Sequence, residues 1–319
     1  MIEFASVYKK YGKIIAIDGI TFSVSQGETL ALLGPNGAGK TSLLRMMTGF
    51  HLPDSGDVLL GGESVGQNPL AVKKRIGYVP EIVSLYQDQR VYEFLRFCAR
   101  IRGVSAKQEK MAVERVIAQC GLQKYEKQLI RNLSKGYRQR VGLAQATVHN
   151  PEILILDEPT SGLDPNQIID IRNLIHDFGK EKTVLISSHS LHEIELLSSR
   201  MIIINHGKLV AEGSKQEIAS IIQQDRAFQF EVLHEDVQKI SNHVEQIKGY
   251  VKHESHNIQS GQCVCKVYVQ ADISNQEASG NIFDWAVEHS IRLIKLMPLE
   301  TDLEQVFAAV TGKAGKENE

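Results

Sequence analysis

Short apolar runs alternate with segments of helical spacing along the first two thirds of the chain. Three of these runs predict buried strands, and the last two of them end in polar residues: ETLALLG (28–34), PEILILDEPT (151–160) and KTVLISSHS (182–190). Four apolar residues follow the first run at helical spacing, with Gly49 marking the helix end: Leu43, Leu44, Met46 and Met47. This alternation predicts an α/β domain over residues 1–215.

A different pattern follows that domain. Residues 216–225 predict a linker, and residues 226–311 a small α+β domain of βαββαβ order, which is ferredoxin-like. Its predicted segments are AFQFEVL, HEDVQKISNHVEQI, a strand near GYVKH, QCVCKVYVQ, ASGNIFDWAVEHS and IRLIKLM. A final helix, TDLEQVFAAVTG, has Thr301 as its N-cap and Glu304 to complete a capping box. Residues 312–319 predict a disordered charged tail.

Composition excludes several classes of function. A net charge of −2 gives no broad basic surface, so we expect no nucleic-acid partner. The four cysteines are too few and too scattered for a disulfide framework, and Cys263 and Cys265 predict two residues on one face of a strand. No apolar run approaches the roughly 18 residues that span a bilayer, and the N-terminal MIEFASVYKKYG lacks a signal-peptide core. We therefore expect a cytoplasmic protein whose membrane role, if any, comes through a partner.

The segment GPNGAGKTS fits a phosphate-binding loop between the first strand and its helix. Glycines let backbone N–H groups approach phosphate oxygens, and the helix N-terminus adds a partial positive charge. Lys40 would contact the β- and γ-phosphates of ATP, and the Thr41 hydroxyl would bind Mg²⁺. The predicted nucleotide-binding residues of the loop are Gly34, Pro35, Asn36, Gly37, Ala38, Gly39, Lys40, Thr41 and Ser42.

Polar residues at the ends of the other two strands predict the rest of the site. Ligands gather at the carboxyl ends of strands in open parallel sheets, so Asp157, Glu158 and His189 are expected near the same phosphate as Lys40. Asp157 is the predicted Mg²⁺ ligand, and Glu158 is the predicted base that polarises the attacking water.

The segment LSKGYRQR at residues 133–140 resembles the LSGGQ signature of ABC transporter ATP-binding subunits. Three residues match the signature and two depart from it: Leu133, Ser134 and Gly136 match, whereas Lys135 and Tyr137 differ. The resemblance implies that Ser134 contacts a γ-phosphate held by another subunit, so that a head-to-tail homodimer encloses two ATP molecules. The alternative is that Ser134 only caps a helix.

Further motifs extend the resemblance over residues 1–215, which implies a P-loop NTPase fold of the ABC ATPase type with a helical subdomain. It implies that Ser161, Gly162, Leu163 and Asp164 form the D-loop at the dimer interface, and that His189 is the switch histidine on the γ-phosphate. Tyr11 matches the aromatic residue that stacks on adenine, with Tyr8 as a competitor. In RIGYVPE, Glu81 stands where the family has glutamine near Mg²⁺ and the attacking water. A carboxylate there can bind Mg²⁺ but adds negative charge near the γ-phosphate.

Within that family the chain is most similar to exporter-type subunits of the multidrug and gliding-motility kind. That similarity implies a separate membrane permease, which binds a groove after Glu81 that includes Tyr86, Val91 and Phe94, and a location on the inner face of the membrane. For Val91 and Phe94 a role in the helix core is an equal alternative. One other reading is a soluble ATPase acting on DNA or the ribosome, but the chain lacks a long heptad insert and a second cassette. Another makes the C-terminal domain a ligand sensor.

Overall fold

The computed structural model describes residues 1–190, 194, 197–214, 217–218, 225–258, 262–270 and 273–299. The chain divides into two compact units, of which the first begins at Met1 and the second at Gln216. The predicted final helix, with Thr301 and Glu304, and the predicted tail at 312–319 lie outside the described residues.

The first unit contains two sheets and the helices between them. Its elements in chain order are β1 (Ile2–Tyr11), β2 (Ile14–Val24), β3 (Thr29–Leu33), α1 (Lys40–Met47), β4 (Ser55–Leu60), β5 (Glu63–Ser64), α2 (Pro69–Arg75), β6 (Ile76–Val79), α3 (Val91–Ile101), α4 (Ala106–Gln119), α5 (Lys135–Thr147), β7 (Ile153–Asp157), α6 (Pro165–Gly179), β8 (Thr183–Ser188), β9 (Arg200–Asn205) and β10 (Lys208–Gly213). Short 3₁₀ turns lie at Gln123–Tyr125 and Ile130–Asn132.

The larger sheet has the order β10-β9-β3-β8-β7-β6 and is parallel except for the β9–β10 pair. The three strands predicted from the apolar runs, β3, β7 and β8, are adjacent in it and almost wholly buried. Their carboxyl ends therefore meet at one edge, as the α/β pattern predicts.

Four strands within the first 64 residues differ from the predicted alternation. They contribute a separate antiparallel sheet of order β2-β1-β4-β5. Three register shifts interrupt the pairing of β1 with β2, so the side chains of β1 do not alternate cleanly between buried and exposed. For this reason the sequence of β1 lacks the strict alternation of apolar and polar residues that predicts a strand.

A single apolar core joins the two sheets through α1. The four apolar residues predicted for this helix are each at most 1% exposed, and the stacked rings of Phe4 and Phe22 belong to the same cluster. This packing fixes α1, and with it the loop that precedes α1, against the end of β3. The helices α3, α4 and α5 pack on one another as the predicted helical subdomain.

The second unit has the predicted βαββαβ order. Its elements are β11 (Asp225–Leu233), α7 (Val237–His243), β12 (Tyr250–Ile258), β13 (Gln262–Gln270), α8 (Asn275–Glu288) and β14 (Leu293–Pro298), with 3₁₀ turns at His234–Asp236 and Val244–Gln246. The sheet is antiparallel with the order β12-β13-β11-β14. Cys263 and Cys265 are both buried on one face of β13, as predicted. All four cysteines fall in the described part of the chain, and none of them forms a disulfide bond there.

Among the described residues, no helix combines the length and the apolar character needed to cross a bilayer.

Candidate nucleotide-binding site

The loop between β3 and α1 brings its backbone close to neighbouring strands. Gly39 has φ of 109°, which side chains rarely adopt, and a Cβ added there would lie 2.5 Å from the Ala16 carbonyl oxygen. A Cβ on Gly34 would lie 2.3 Å from the Ile204 carbonyl oxygen. Only glycine fits at these two positions, so the glycines let the loop fold tightly over the start of α1.

Lys40, the first residue of α1, extends its ammonium group back into the loop. Its Nζ donates hydrogen bonds to the carbonyl oxygens of Gly34 at 2.7 Å and Pro35 at 3.3 Å. The same Nζ lies 3.3 Å from Glu158 Oε1, and the side chains of Lys40 and Glu158 are only 6% and 9% exposed. The lysine is therefore held at the phosphate loop by a carboxylate from the end of β7.

Asp157 ends β7, and three neighbouring side chains fix its orientation. Its Oδ1 accepts hydrogen bonds from Ser187 Oγ at 2.7 Å and from Thr41 Oγ1 at 3.3 Å. Its Oδ2 accepts one from the Tyr78 hydroxyl at 3.4 Å, and burial together with the Asp157 charge raises the pKa of Tyr78 to about 12. Ser187 also accepts a hydrogen bond from the Glu158 N–H at 3.0 Å, which ties the two acidic residues to β8.

Glu158 links the phosphate loop to the end of β8. Its Oε2 lies 2.8 Å from His189 Nδ1, so the imidazole N–H donates to the carboxylate, which can only accept when it is ionised. Its backbone has φ of 47°, which is uncommon for a residue with a side chain and indicates local strain. The expected meeting of Lys40, Asp157, Glu158 and His189 at one place is thus observed.

These residues surround a cleft of about 430 Å³. It is lined by Ile14, Ala16, the loop and helix residues Asn36, Gly37, Ala38, Gly39, Lys40, Thr41 and Ser42, and by Glu81, Glu158, Ser161 and His189. Glu81 therefore lies at the site where it was expected. Tyr11, at the end of β1, is 39% exposed, and its ring lies 5.6 Å from that of His51. It is not among the residues that line the cleft, which on this side are Ile14 and Ala16.

The signature segment caps α5 outside this cleft. Ser134 Oγ accepts a hydrogen bond from the Tyr137 N–H at 3.4 Å, and Leu133 is buried beneath it. Tyr137 packs against Tyr125 with ring centroids 4.0 Å apart and the rings tilted by 38°. Residues 133–137 do not line the cleft of their own chain.

Lys135 connects the signature segment with the D-loop of the same chain. Its Nζ donates a hydrogen bond of 2.7 Å to the Ser161 carbonyl oxygen. The neighbouring Gly162 has φ of 65°, and a Cβ there would lie 2.3 Å from the Lys135 Nζ. Asp164 then caps α6 by accepting a hydrogen bond from the Gln167 N–H at 3.0 Å. Lys135, one of the two residues that depart from the signature, thus forms its own hydrogen bond to the predicted D-loop.

Sequence reasoning missed Ser187, Tyr78 and the Lys135–Ser161 contact. Ser187 stands in the LISS segment directly before His189, so its place at a strand end was a usable signal. Tyr78 lies within the RIGYVPE segment, but nothing in that pattern indicates that its hydroxyl faces Asp157. The lysine contact joins two loops that are far apart in the sequence.

Comparison with known proteins agrees with this geometry. A family model described as ABC transporter matches residues 17–161. The linearmycin resistance ATP-binding protein LnrL of Bacillus subtilis (strain 168) is 31% identical over 98% of this chain and 99% of its own length. The bacitracin transport ATP-binding protein BcrA of Bacillus licheniformis is 35% identical over 98% of this chain and 97% of its own length.

Solved structures support the same assignment. The ATP-binding subunit of an ABC transporter superposes with a TM-score of 0.63 at 26% identity, covering 69% of this chain and 92% of that one. A dimeric ATP-binding cassette in a post-hydrolysis state bound to ADP and Pi gives a TM-score of 0.61 at 22% identity, covering 67% and 98%, and shows the fold alone. Matched over nearly its whole length, with the phosphate loop, the acidic strand end and the signature segment in place, the chain belongs to the ABC transporter family as an ATP-binding, ATP-hydrolysing subunit.

Proposed function

We propose that two copies of this chain enclose two MgATP molecules and that their closure and reopening drive export through a separate membrane permease. The observation that carries the proposal is the position of Glu158, whose carboxylate contacts both the Lys40 ammonium and the His189 imidazole at the edge of the phosphate loop. A base, a cation for phosphate and a positioning histidine thereby share one cleft, which suits hydrolysis of a phosphoanhydride.

Nucleotide binding requires Lys40 to change partners. Its ammonium group is bonded to two loop carbonyls and paired with Glu158. A triphosphate in the cleft offers stronger acceptors, and the loop N–H groups and the N-terminus of α1 add further attraction. Glu158 would then lose its cation and become free to accept a proton from a water molecule, which His189 helps to position.

The residues around Asp157 fit a magnesium ion. Thr41 Oγ1 and Asp157 Oδ1 lie 3.3 Å apart and Glu81 lines the same cleft, so three oxygen ligands of the kind that Mg²⁺ prefers are available. When bound, the ion would offset the negative charge of the phosphates during transfer. Ser187 and Tyr78 hold the Asp157 carboxylate in a fixed orientation through its two oxygens.

The second half of each site would come from the other copy. Residues 133–137 lie away from their own cleft, with Ser134 at the N-terminal end of α5. A γ-phosphate held by the partner copy would accept a hydrogen bond from Ser134 and lie on the helix dipole. The Lys135–Ser161 hydrogen bond would let the signature segment and the D-loop of one copy move together as the dimer closes.

An exposed apolar groove on the first unit supports a permease partner. It lies between α2, the segment after Glu81 and α3, and it is lined by Leu70, Leu85, Tyr86, Phe94, Phe97 and Ile101 among others. Tyr86 is 57% exposed, as a residue that binds the permease must be, and the buried Phe94 also lines the groove. Val91 is fully buried in the core and does not line the groove, so its assignment to the docking surface is wrong.

Export is favoured by the names of the relatives. LnrL is a linearmycin resistance protein, and BcrA is a bacitracin transport protein. The Nod factor export ATP-binding protein I of Paraburkholderia xenovorans (strain LB400) is 38% identical over 67% of this chain. We infer that this chain acts from the cytoplasmic face of the membrane, attached through the permease, in a system of the same kind.

Two experiments test the proposal. Lys40→Ala removes the charge that meets the phosphates and should abolish ATP binding at micromolar nucleotide, whereas Lys107→Ala on the exposed face of α4 should not. Equal nucleotide affinity in both variants would contradict the site assignment. For the partner, the chain should co-purify with a polytopic membrane protein from native membranes, and Ile101→Asp, at a position 67% exposed, should release it. Retention by that variant would contradict the groove assignment.

A further inference from the structure

A second cleft, of about 610 Å³, lies on the first unit and is distinct from the nucleotide site. The C-terminal end of α2, the turn between α3 and α4, α4 itself and the segment after α5 form its walls. Its polar lining is largely basic and includes Lys74, Arg102, Gln108, Arg115, His149 and Asn150, which we call the basic cleft. It shares no residue with the cleft that contains Lys40.

The two arginines of the basic cleft contact only neutral acceptors among the described residues. Arg102 Nη1 donates to the Lys73 carbonyl oxygen at 3.0 Å, which leaves its other guanidinium N–H groups for a ligand. Arg115 Nη2 donates to the carbonyl oxygens of Thr147 and Val148 at 3.1 Å each, at the C-terminal end of α5, and its Nη1 donates to Asn150 Oδ1 at 3.4 Å. No carboxylate of the described chain forms a salt bridge with either guanidinium, although both are partly desolvated.

More positive charge lies behind the cleft. Lys182 Nζ donates to Asn150 Oδ1 at 2.8 Å and to the Pro151 carbonyl oxygen at 2.9 Å, again without a carboxylate in contact. Burial lowers the pKa of Arg102, of Arg115 and of Lys182, and Arg115 lowers that of Lys182 further. Glu181 is the acidic residue whose charge acts on Arg115 and Lys182, and it offsets part of this potential.

His149 is placed among these cations with one ring nitrogen unsatisfied. Its Nε2 lies 3.2 Å from the Ile76 carbonyl oxygen, whereas its buried Nδ1 has no hydrogen-bond partner in the described part of the chain. Burial lowers the pKa of His149 to about 4, and the charges of Arg102, Lys182 and Arg115 act in the same direction. The ring is therefore neutral at pH 7 with its N–H on Nε2, so Nδ1 can only accept a hydrogen bond, and the attraction for an anion comes from the arginine and lysine side chains.

We propose that the basic cleft binds a phosphate-bearing anion as a site separate from the nucleotide site. Two guanidinium groups with unused N–H donors match the paired oxygens of a phosphate group, and the exposed Lys74 adds charge at the rim. A phosphate there would supply the counter-charge that the side chains of the cleft lack. The same chemistry is offered by a soluble phosphate compound and by an anionic lipid headgroup.

Pyrophosphate is the first probe, titrated calorimetrically into the full chain carrying Lys40→Ala, which weakens competition from the phosphate loop. In that background Arg102→Gln should weaken pyrophosphate binding about tenfold or more, as expected for a lost charge-assisted hydrogen bond. Lys74→Gln, at an exposed position where folding is not at risk, should weaken it several-fold. Lys73→Gln, whose side chain lies outside the basic cleft, is the matched control and should leave the affinity unchanged.

Vesicles distinguish the two sources of phosphate. Binding to vesicles of phosphatidylcholine with phosphatidylglycerol, absent with phosphatidylcholine alone and displaced by pyrophosphate, would assign the site to a lipid headgroup. Binding of pyrophosphate without vesicle binding would assign it to a soluble phosphate compound. Binding of neither probe, or equal weakening by Arg102→Gln and Lys73→Gln, would overturn the proposal. None of these results depends on ATP hydrolysis, so this inference and the proposed function fail independently.

Discussion

Replacing Glu158 by glutamine should separate nucleotide binding from hydrolysis. The amide keeps the shape of the side chain but cannot act as a base. General-base catalysis contributes about 10²–10⁴-fold, so the steady-state rate of phosphate release should fall by at least about a hundredfold. The same change removes the charge that holds Lys40 in its present position.

The effect on ATP affinity can be worked from the Lys40–Glu158 distance. At 3.3 Å and an effective dielectric of about 20, the attraction between the two charges is roughly 5 kcal/mol before desolvation is subtracted. Breaking a buried pair by removing one partner costs roughly 3–5 kcal/mol. Lys40 keeps its hydrogen bonds to Gly34 and Pro35, so we expect a smaller net cost of about 1–2 kcal/mol in the nucleotide-free protein.

This cost in the nucleotide-free variant should make its binding of ATP tighter. ATP supplies a new counter-charge for Lys40, so the variant should bind ATP about tenfold more tightly than the wild type. A fluorescent-nucleotide titration and a phosphate-release assay measure the two effects separately. Glu152→Gln is the matched control, because Glu152 is exposed and pairs with Arg75 on the surface at 2.9 Å. Undiminished phosphate release in Glu158→Gln, or weaker ATP binding, would refute the reasoning.

Three further predictions address other residues. Glu81→Gln should keep the ATPase rate or raise it across a Mg²⁺ titration, because an oxygen ligand remains and a charge near the γ-phosphate is lost; a tenfold fall, about 1.4 kcal/mol in barrier, would contradict this. Lys135→Gln should lower the ATPase rate roughly two- to fivefold without changing nucleotide affinity, since it removes an exposed hydrogen bond to the D-loop; unchanged turnover would mean that this bond is incidental. Hydrogen bonds from Arg100 and Arg96 lower the pKa of Glu109 to about 2, below its unfolded value of about 4.3. The ionised Glu109 carboxylate thus stabilises the folded state fully above pH 4.3, and this stabilisation is lost towards pH 2. In denaturant unfolding, the free energy of unfolding of the wild type should exceed that of Glu109→Gln by less and less as the pH falls through that range.

The α/β part of the fold was predictable because its signals are local. Buried parallel strands are continuous apolar runs, and the loop before α1 has a fixed residue pattern, so β3, α1, β7 and β8 were predicted at nearly their observed bounds. The βαββαβ order of the second unit followed from clean strand alternation, as in β13. The N-terminal antiparallel sheet was missed because bulges in β1 break that alternation.

Within the site, the sequence indicated residue types but not every contact. Asp157, Glu158 and His189 were predictable because strand ends converge at one edge of a parallel sheet. The hydroxyls of Ser187 and Tyr78 were not, since strand residues of these types point to either face. For Val91 and Phe94 the apolar spacing of a helix left groove and core equally open, and only packing decided between them.

The molar mass of the Glu158→Gln protein tests whether two copies form a composite nucleotide site. Size-exclusion chromatography with light scattering should give the mass of one chain without nucleotide and of two chains with saturating MgATP. Ser134→Arg in the same background should return the mass to that of one chain, because it blocks the signature segment from the partner's γ-phosphate. A single-chain mass for Glu158→Gln at MgATP concentrations where binding is saturated would contradict a composite site between two copies.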